Sequence, residues 1–311
     1  MNEVPHVSVV VAAYNAAETL DEALASVAAQ TYRDFELIVV DDGSTDSTPE
    51  LLAQHAARWP WMTWFRQENT GVATARNRAI DRARGELVAF QDADDVWLPE
   101  KLAEQVPLLD QNPATDLVFA DSTFFPPDPV SPDSLFQQKP PQRGRILQKL
   151  LMGCFVLMGT VVVRKSAIRE AGGFVDGQTP FSDVDLILRV AEHHDFDYVD
   201  KVLMRWRIRP DSLSHRDPLA NQVRDLEMFD HWVARRPDLF PPNAPEVRDH
   251  RAKVYARMGR TLLARRDWRG SRRAYRRAIA LGERGRDVLT RAAAAHVPAL
   301  AMLFWFARDF G

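Results

Sequence analysis

In the first third of the chain, short Val-rich runs alternate with segments of helical period, and that alternation leaves few architectures open. "HVSVVVAAYN", "FELIVVDDGSTD", "WMTWFRQ" and "ELVAFQDAD" read as strands. "AAETLDEALASVAAQ", "TPELLAQHAARW", "GVATARNRAIDRARG" and "PEKLAEQVPLLDQN" read as helices, the first with Leu20, Ala23, Leu24 and Val27 on one face. Strands that alternate with helices pair in parallel and are covered on both sides. Ser47 and Glu50 have the spacing of a capping box with Pro49 in the first turn, Gly85 closes the third helix, and Pro99 opens the fourth. The expected fold class is therefore α/β, a mostly parallel Rossmann-like sheet flanked by helices.

A chain of 311 residues that is 46% hydrophobic can bury a full core. Cys154 is its one cysteine, which excludes an intrachain disulfide and suits a reducing compartment. The apolar run from Val7 to Ala13 is too short for a signal peptide or a spanning helix, so the sequence reads as cytoplasmic. Charge is uneven. Residues 1–250 hold 25 Lys and Arg against 39 Asp and Glu, whereas residues 251–311 hold 15 against 4. The acidic majority and the lack of a nucleic-acid motif argue against a nucleic-acid partner.

"VAFQDADDVWLPEK" sets three aspartates directly after the fourth strand. Ligands of open α/β sheets bind at the carboxyl ends of strands. Residues i and i+2 of an extended segment point the same way, so Asp92 and Asp94 can present oxygens to one hard cation. Magnesium and manganese take one or two carboxylates and fill their other positions with phosphate oxygens and water. Asp-rich turns also cap helices, and Asp95 stands where it could help open "PEKLAEQ". Spacing alone leaves both readings open.

Five segments in register, "VSVVVAAYN", "VVDDGSTDST", "NTGVATARN", "FQDADDVWLP" and "FSDVDLILR", resemble the family 2 glycosyltransferases of the GT-A fold over roughly residues 5–215. The resemblance implies an enzyme of hexosyltransferase type, inverting at the transferred sugar, acting in polysaccharide biosynthesis for the cell envelope. Its donor is a nucleotide-diphosphate sugar, read as uridine-linked; its cofactor is Mn2+ or Mg2+; its acceptor is a glycan or lipid-linked glycan. By the same resemblance Tyr14 packs against the base, Asp42 accepts from a base N–H, and Arg76 touches nucleotide or diphosphate. Asp94 is then the principal metal ligand, with Asp92 toward ribose and metal. Asp41 reads as a turn former and Arg78 as a solvated charge. Attack by an acceptor hydroxyl also needs a base, and in "PFSDVDLILRVAEHH" Asp183 inherits that role. Ser182 stands where the family usually has Glu and reads as the N-cap of the helix, while Asp185 reads as structural. A helix N-terminus favours the ionised form of Asp183, and a neighbouring diphosphate opposes it.

Relatives place a histidine where Arg209 stands; here a fixed positive charge replaces it, with His215 as a possible substitute. Residues 123–144 carry prolines at 126, 127, 129, 132, 140 and 141, which excludes regular helix or central strand and suggests a surface loop at the acceptor side. The expected organisation is a catalytic domain over 1–215, nucleotide-sugar binding in about 1–122 and acceptor binding in about 123–215, followed by an arginine-rich helical region over 216–311. In that region Tyr255, Gly259, Leu262, Tyr275 and Ala278 fall at the offsets of one tetratricopeptide helix pair. An apolar stretch follows, with Pro298 inside it and Trp305 and Phe306 near its end, and suggests peripheral attachment to an anionic membrane, the inner face of the cell membrane for a cytoplasmic protein. A solvated helical cap explains the arginines equally. The alternative to an enzyme is a sugar-nucleotide-binding or scaffolding protein with a decayed site, which retention of Asp92, Asp94 and Asp183 disfavours.

Overall fold

The computed structural model describes residues 4–125, 134–176, 181–209 and 217–295. They fall into two compact units, one within residues 1–210 and the other within 211–311.

The first unit is built on an eight-stranded sheet of order β3-β2-β1-β4-β7-β6-β8-β5. Its strands are β1 Val7–Ala13, β2 Phe35–Asp41, β3 Met62–Arg66, β4 Leu87–Asp92, β5 Val96–Trp97, β6 Thr115–Phe125, β7 Val162–Arg164 and β8 Asp195–Arg207. The four expected strands are the four parallel ones, β3-β2-β1-β4. Every residue of β2 is buried, as both-face coverage requires. The other half is mixed. β7 runs antiparallel to β4 and β6, β8 parallel to β6, and β5 antiparallel to β8.

Helices α1 Leu20–Ala28, α2 Thr48–Arg58, α3 Val72–Arg82 and α4 Lys101–Gln111 connect the strands of the parallel half and lead on into β6. The Ser47 capping box is not formed: the Ser47 side chain makes no cap bond. Asp46 Oδ1 accepts from Thr48 N at 3.0 Å instead, while Thr48 Oγ1 accepts from Ala16 N at 2.9 Å and ties α2 to the loop after β1. Three short helices follow, α5 Leu135–Gln138, α6 Leu147–Met152 and α7 Lys165–Glu170, and then α8 Ser182–Ala191. The proline-rich stretch is shorter as a loop than its composition suggests, because Thr123–Phe125 continue β6 and Ser134 caps α5 with a complete capping box. Residues 126–133, part of the 123–144 stretch read as an acceptor-side loop, lie outside the described residues, as does His215.

The second unit has four helices among its described residues, Pro218–Arg235, Pro245–Ala264, Trp268–Ala280 and Arg286–Ala294. Asp217 and Asp267 cap the first and third of these. The second and third meet where Gly259 faces the buried ring of Tyr275: a Cβ at 259 would stand 2.8 Å from a ring carbon. Ser271 Oγ also donates to Gly259 O at 3.0 Å. The apolar segment with Pro298, Trp305 and Phe306 lies outside the described residues. Among the described residues no helix is long and apolar enough to cross a membrane.

Candidate active site

Strand register assembles the site. Ala13 pairs with Asp41 and Ala12 with Asp92, so the loops after β1, β2 and β4 leave the sheet side by side at its carboxyl edge. Tyr14, in the first loop, is 50% exposed and is therefore no core aromatic. Asn15 follows in the left-handed region at φ 48° and accepts from Thr45 N at 2.8 Å, which joins the first loop to the second.

After β2, Asp41 Oδ1 accepts from Ser44 N at 3.0 Å and forms the turn. Gly43 takes φ +78°, and a side chain there would collide with the backbone of Asn69. Asp42 is buried, and its carboxylate accepts from Gln67 Nε2 at 2.7 Å, Thr70 N at 2.9 Å and Gly71 N at 2.8 Å. Three bonds leave a carboxylate about one further acceptor position of roughly four. Asp42 thus fixes the loop that opens α3.

Arg76, on α3, is buried, and its guanidinium spans two carboxylates. Nη2 donates to Asp92 Oδ1 at 2.6 Å, and Nη1 donates to Asp183 Oδ1. The Phe174 ring lies 5.3 Å from the guanidinium carbon. Burial alone would lower the Arg76 pKa, but Asp183 and Asp92 reverse this and raise it. Arg78 is exposed.

Asp92 and Asp183 are 33% and 31% exposed at their side chains, so each keeps a solvent-facing portion while held by Arg76. Ser182 is the first residue of α8 and not its cap, a position that falls to Phe181 without a side-chain bond. Asp183 accordingly lies in the first turn. Burial holds its carboxyl above the ordinary carboxylate range, Arg76 opposes the shift, and Asp92 adds to it. Asp185 accepts from Arg189 Nε at 2.9 Å within α8.

Asp94 also lies above the ordinary carboxylate range, through burial first and Asp92 second, with Arg209 and Arg207 pulling it back. Asp95 does not cap α4: it is buried, and its Oδ1 accepts from Arg207 N at 2.9 Å. Arg207 escaped notice in the sequence. Its Nε donates to Asp94 O at 2.7 Å, its guanidinium carbon sits 4.2 Å from the centre of the Phe125 ring, and Nη2 donates to Glu22. One side chain from β8 therefore holds the aspartate loop against α1 and β6. Its signal was its place at the end of a strand two residues before Arg209.

Among the described residues no group of three or more His, Cys, Asp or Glu is arranged to hold a metal ion. A pair, Asp92 and Asp94, close enough to raise the proton affinity of Asp94, fits a hard cation that draws its remaining ligands from phosphate and water.

A parallel half with acidic loops at its carboxyl edge, joined to a mixed half that carries a further carboxylate, defines a GT-A fold. The family model of glycosyl transferase family 2 matches residues 8–172, more than half of the chain, and the chain belongs to that family. It is 32% identical over 196 residues to the putative glycosyltransferase EpsE of Bacillus subtilis, covering 62% of this chain and 69% of that protein. It is 31% identical to the uncharacterized protein y4gI of Sinorhizobium fredii over 73% of this chain but spans about a quarter, 25%, of that longer relative. Among solved structures, mannosyltransferase PcManGT from Pyrobaculum calidifontis, in complex with GDP-Man and Mn2+, superposes with a TM-score of 0.61 at 21% identity, over 97% of this chain and 87% of that one. S. aureus TarS 1-349 in complex with UDP-GlcNAc gives 0.60 at 17% identity, over 93% and 91%.

Proposed function

We propose that this chain is a metal-dependent inverting glycosyltransferase. The observation that carries the reading is the Arg76 bridge, which brings Asp183 of α8 and Asp92 of the acidic loop to one guanidinium. A base and a metal-side carboxylate on the same edge are what displacement at a sugar carbon requires. The donor is a nucleotide-diphosphate sugar, read as uridine-linked, a class consistent with the nucleotide-sugar complexes of the structural neighbours. The acceptor is a hydroxyl of a glycan or lipid-linked glycan, with the arginine-rich C-terminal region bringing the enzyme to an anionic membrane surface.

In this reading Tyr14 packs on the base from its exposed loop, and the remaining acceptor position of Asp42 meets a base N–H. The acceptor oxygen attacks the anomeric carbon as the bond to the diphosphate oxygen breaks, and Asp183 takes the hydroxyl proton. Its raised proton affinity suits that task. A divalent ion at Asp94 and Asp92 would supply positive charge for the leaving diphosphate. Arg76 positions Asp92 and Asp183 and is the direct link between them.

Two variants test the assignment. Asp183→Asn keeps an oxygen for Arg76 but cannot take a proton, so donor turnover should fall at least about a hundredfold with donor affinity retained. Asp94→Ala should lose manganese-dependent donor binding. Calorimetry and nucleotide diphosphate released from a panel of UDP- and GDP-sugars measure both. Near-normal turnover in Asp183→Asn would move the base elsewhere, and unchanged manganese dependence in Asp94→Ala would remove the metal assignment.

A further inference from the structure

The helix Trp268–Ala280 carries five arginines and no acidic residue. Gly270, Ser271, Ala274, Tyr275 and Ala278 are its buried positions. Arg269, Arg272, Arg273 and Arg276 follow the spacing i, i+3, i+4, i+7, so they share the opposite face. Arg269, Arg273 and Arg276 are exposed and Arg272 is half-buried.

Several other arginines of this unit have carboxylate partners, whereas Arg248, Arg284 and Arg286, which lie outside this helix, resemble these four in having none among the described residues. Arg251 bonds Asp230, Arg257 bonds Asp225, Arg265 bonds Asp217 and Arg291 bonds Asp287. Arg277, next to the face, bonds Tyr255 Oη at 3.1 Å. None of Arg269, Arg272, Arg273 and Arg276 has a carboxylate partner among the described residues. Four fixed cations in one stripe with no carboxylate partner among the described residues repel one another, and an extended anionic partner relieves that repulsion.

We propose that this face docks on anionic lipid headgroups at a membrane surface. Arginine-rich helix faces attract anionic headgroups, and apolar, aromatic sequence adds interfacial affinity. Here the sequence after His296 continues with "VPALAMLFWF", a composition that lipid accommodates and a nucleic-acid backbone does not. The purpose of docking, presentation of a lipid-linked acceptor, rests on the transferase reading above; the attraction itself rests on the unpaired arginines.

The test is sedimentation of the full-length chain with phosphatidylcholine vesicles, with and without phosphatidylglycerol. Binding should require phosphatidylglycerol and weaken as salt rises. R269Q/R272Q/R273Q/R276Q should lose at least about tenfold in vesicle affinity, with helical circular dichroism preserved. The charge-matched control R251Q/R257Q/R265Q/R291Q removes arginines that already have carboxylate partners and should bind nearly as the parent does. No sedimentation at low salt, equal loss in both variants, or no loss in the first would each overturn the proposal. So would tighter binding to single-stranded RNA that the same four substitutions abolish, since the face would then serve nucleic acid. UDP-sugar turnover is measured on the same preparations: its absence sinks the transferase reading, whatever the vesicles show.

Discussion

Arg76 decides the arrangement of the site. Two carboxylates at the mouth of a sheet repel, and a buried guanidinium that donates to both fixes their separation and direction. Replacing Arg76 with Met should leave Asp92 and Asp183 without a shared cation, at a cost of about 3 kcal/mol and a loss of donor turnover of at least about a hundredfold. Arg76→Lys restores a charge but not a planar fork, so it should recover part of the stability and little of the turnover. Chemical denaturation and nucleotide release, measured on both variants, check this; full turnover in Arg76→Met would refute the positioning role. The aspartates themselves were legible from strand-end placement and family spacing. The burial of Arg76 was not read from the sequence, although it shares one helical face with the buried Ala73, Ala79 and Ile80. What α8 would bring against it was not legible either, since Asp183 is 107 residues away and only the tertiary fold supplies that contact.

At the scale of elements, the parallel half was readable because each of its strands is long enough to show a buried run. β5 has two residues and β7 three, too few for any period, so these two strands left no mark in the sequence, whereas "FDYVDKVLMRWRI" does read as a strand and forms β8. The pairing of β5 with β8 has a consequence for the site. Val96 lies opposite Arg205, which sets Arg207 beside the aspartate loop, where Nε holds the carbonyl of Asp94. That loop therefore owes its shape to a residue 113 positions away. Arg207→Met should loosen it while the backbone bond from residue 207 to Asp95 survives. Lost hydrogen bonds to a charged donor are worth about 1.5–3 kcal/mol, so manganese-dependent donor affinity should fall roughly tenfold to a hundredfold. Binding without metal should change much less. Titration calorimetry of UDP with and without Mn2+ distinguishes the two, and an equal loss in both conditions would mean that Arg207 acts on the nucleotide and not on the metal-side loop.

At the scale of the whole molecule, the chain couples a sheet unit of net negative character to a helical unit rich in arginine, and each has its own buried core. In the helical unit Phe229 and Trp232 of the first helix and Val247 and Val254 of the second are buried, and Tyr275 fills the place left by Gly259. The offsets that suggested one tetratricopeptide pair thus coincide with a close approach that glycine alone permits. Gly259→Leu should force the Tyr275 ring out at a cost of about 1–3 kcal/mol. Because every residue assigned to donor binding belongs to the other unit, UDP affinity with Mn2+ should stay within about twofold of the parent, and ligand should still raise the melting of the sheet unit. Differential scanning calorimetry with and without UDP and Mn2+ measures both effects at once. If Gly259→Leu weakens nucleotide binding as much as it lowers stability, the helical unit takes part in building the donor site, and the division of labour between the two units must be redrawn.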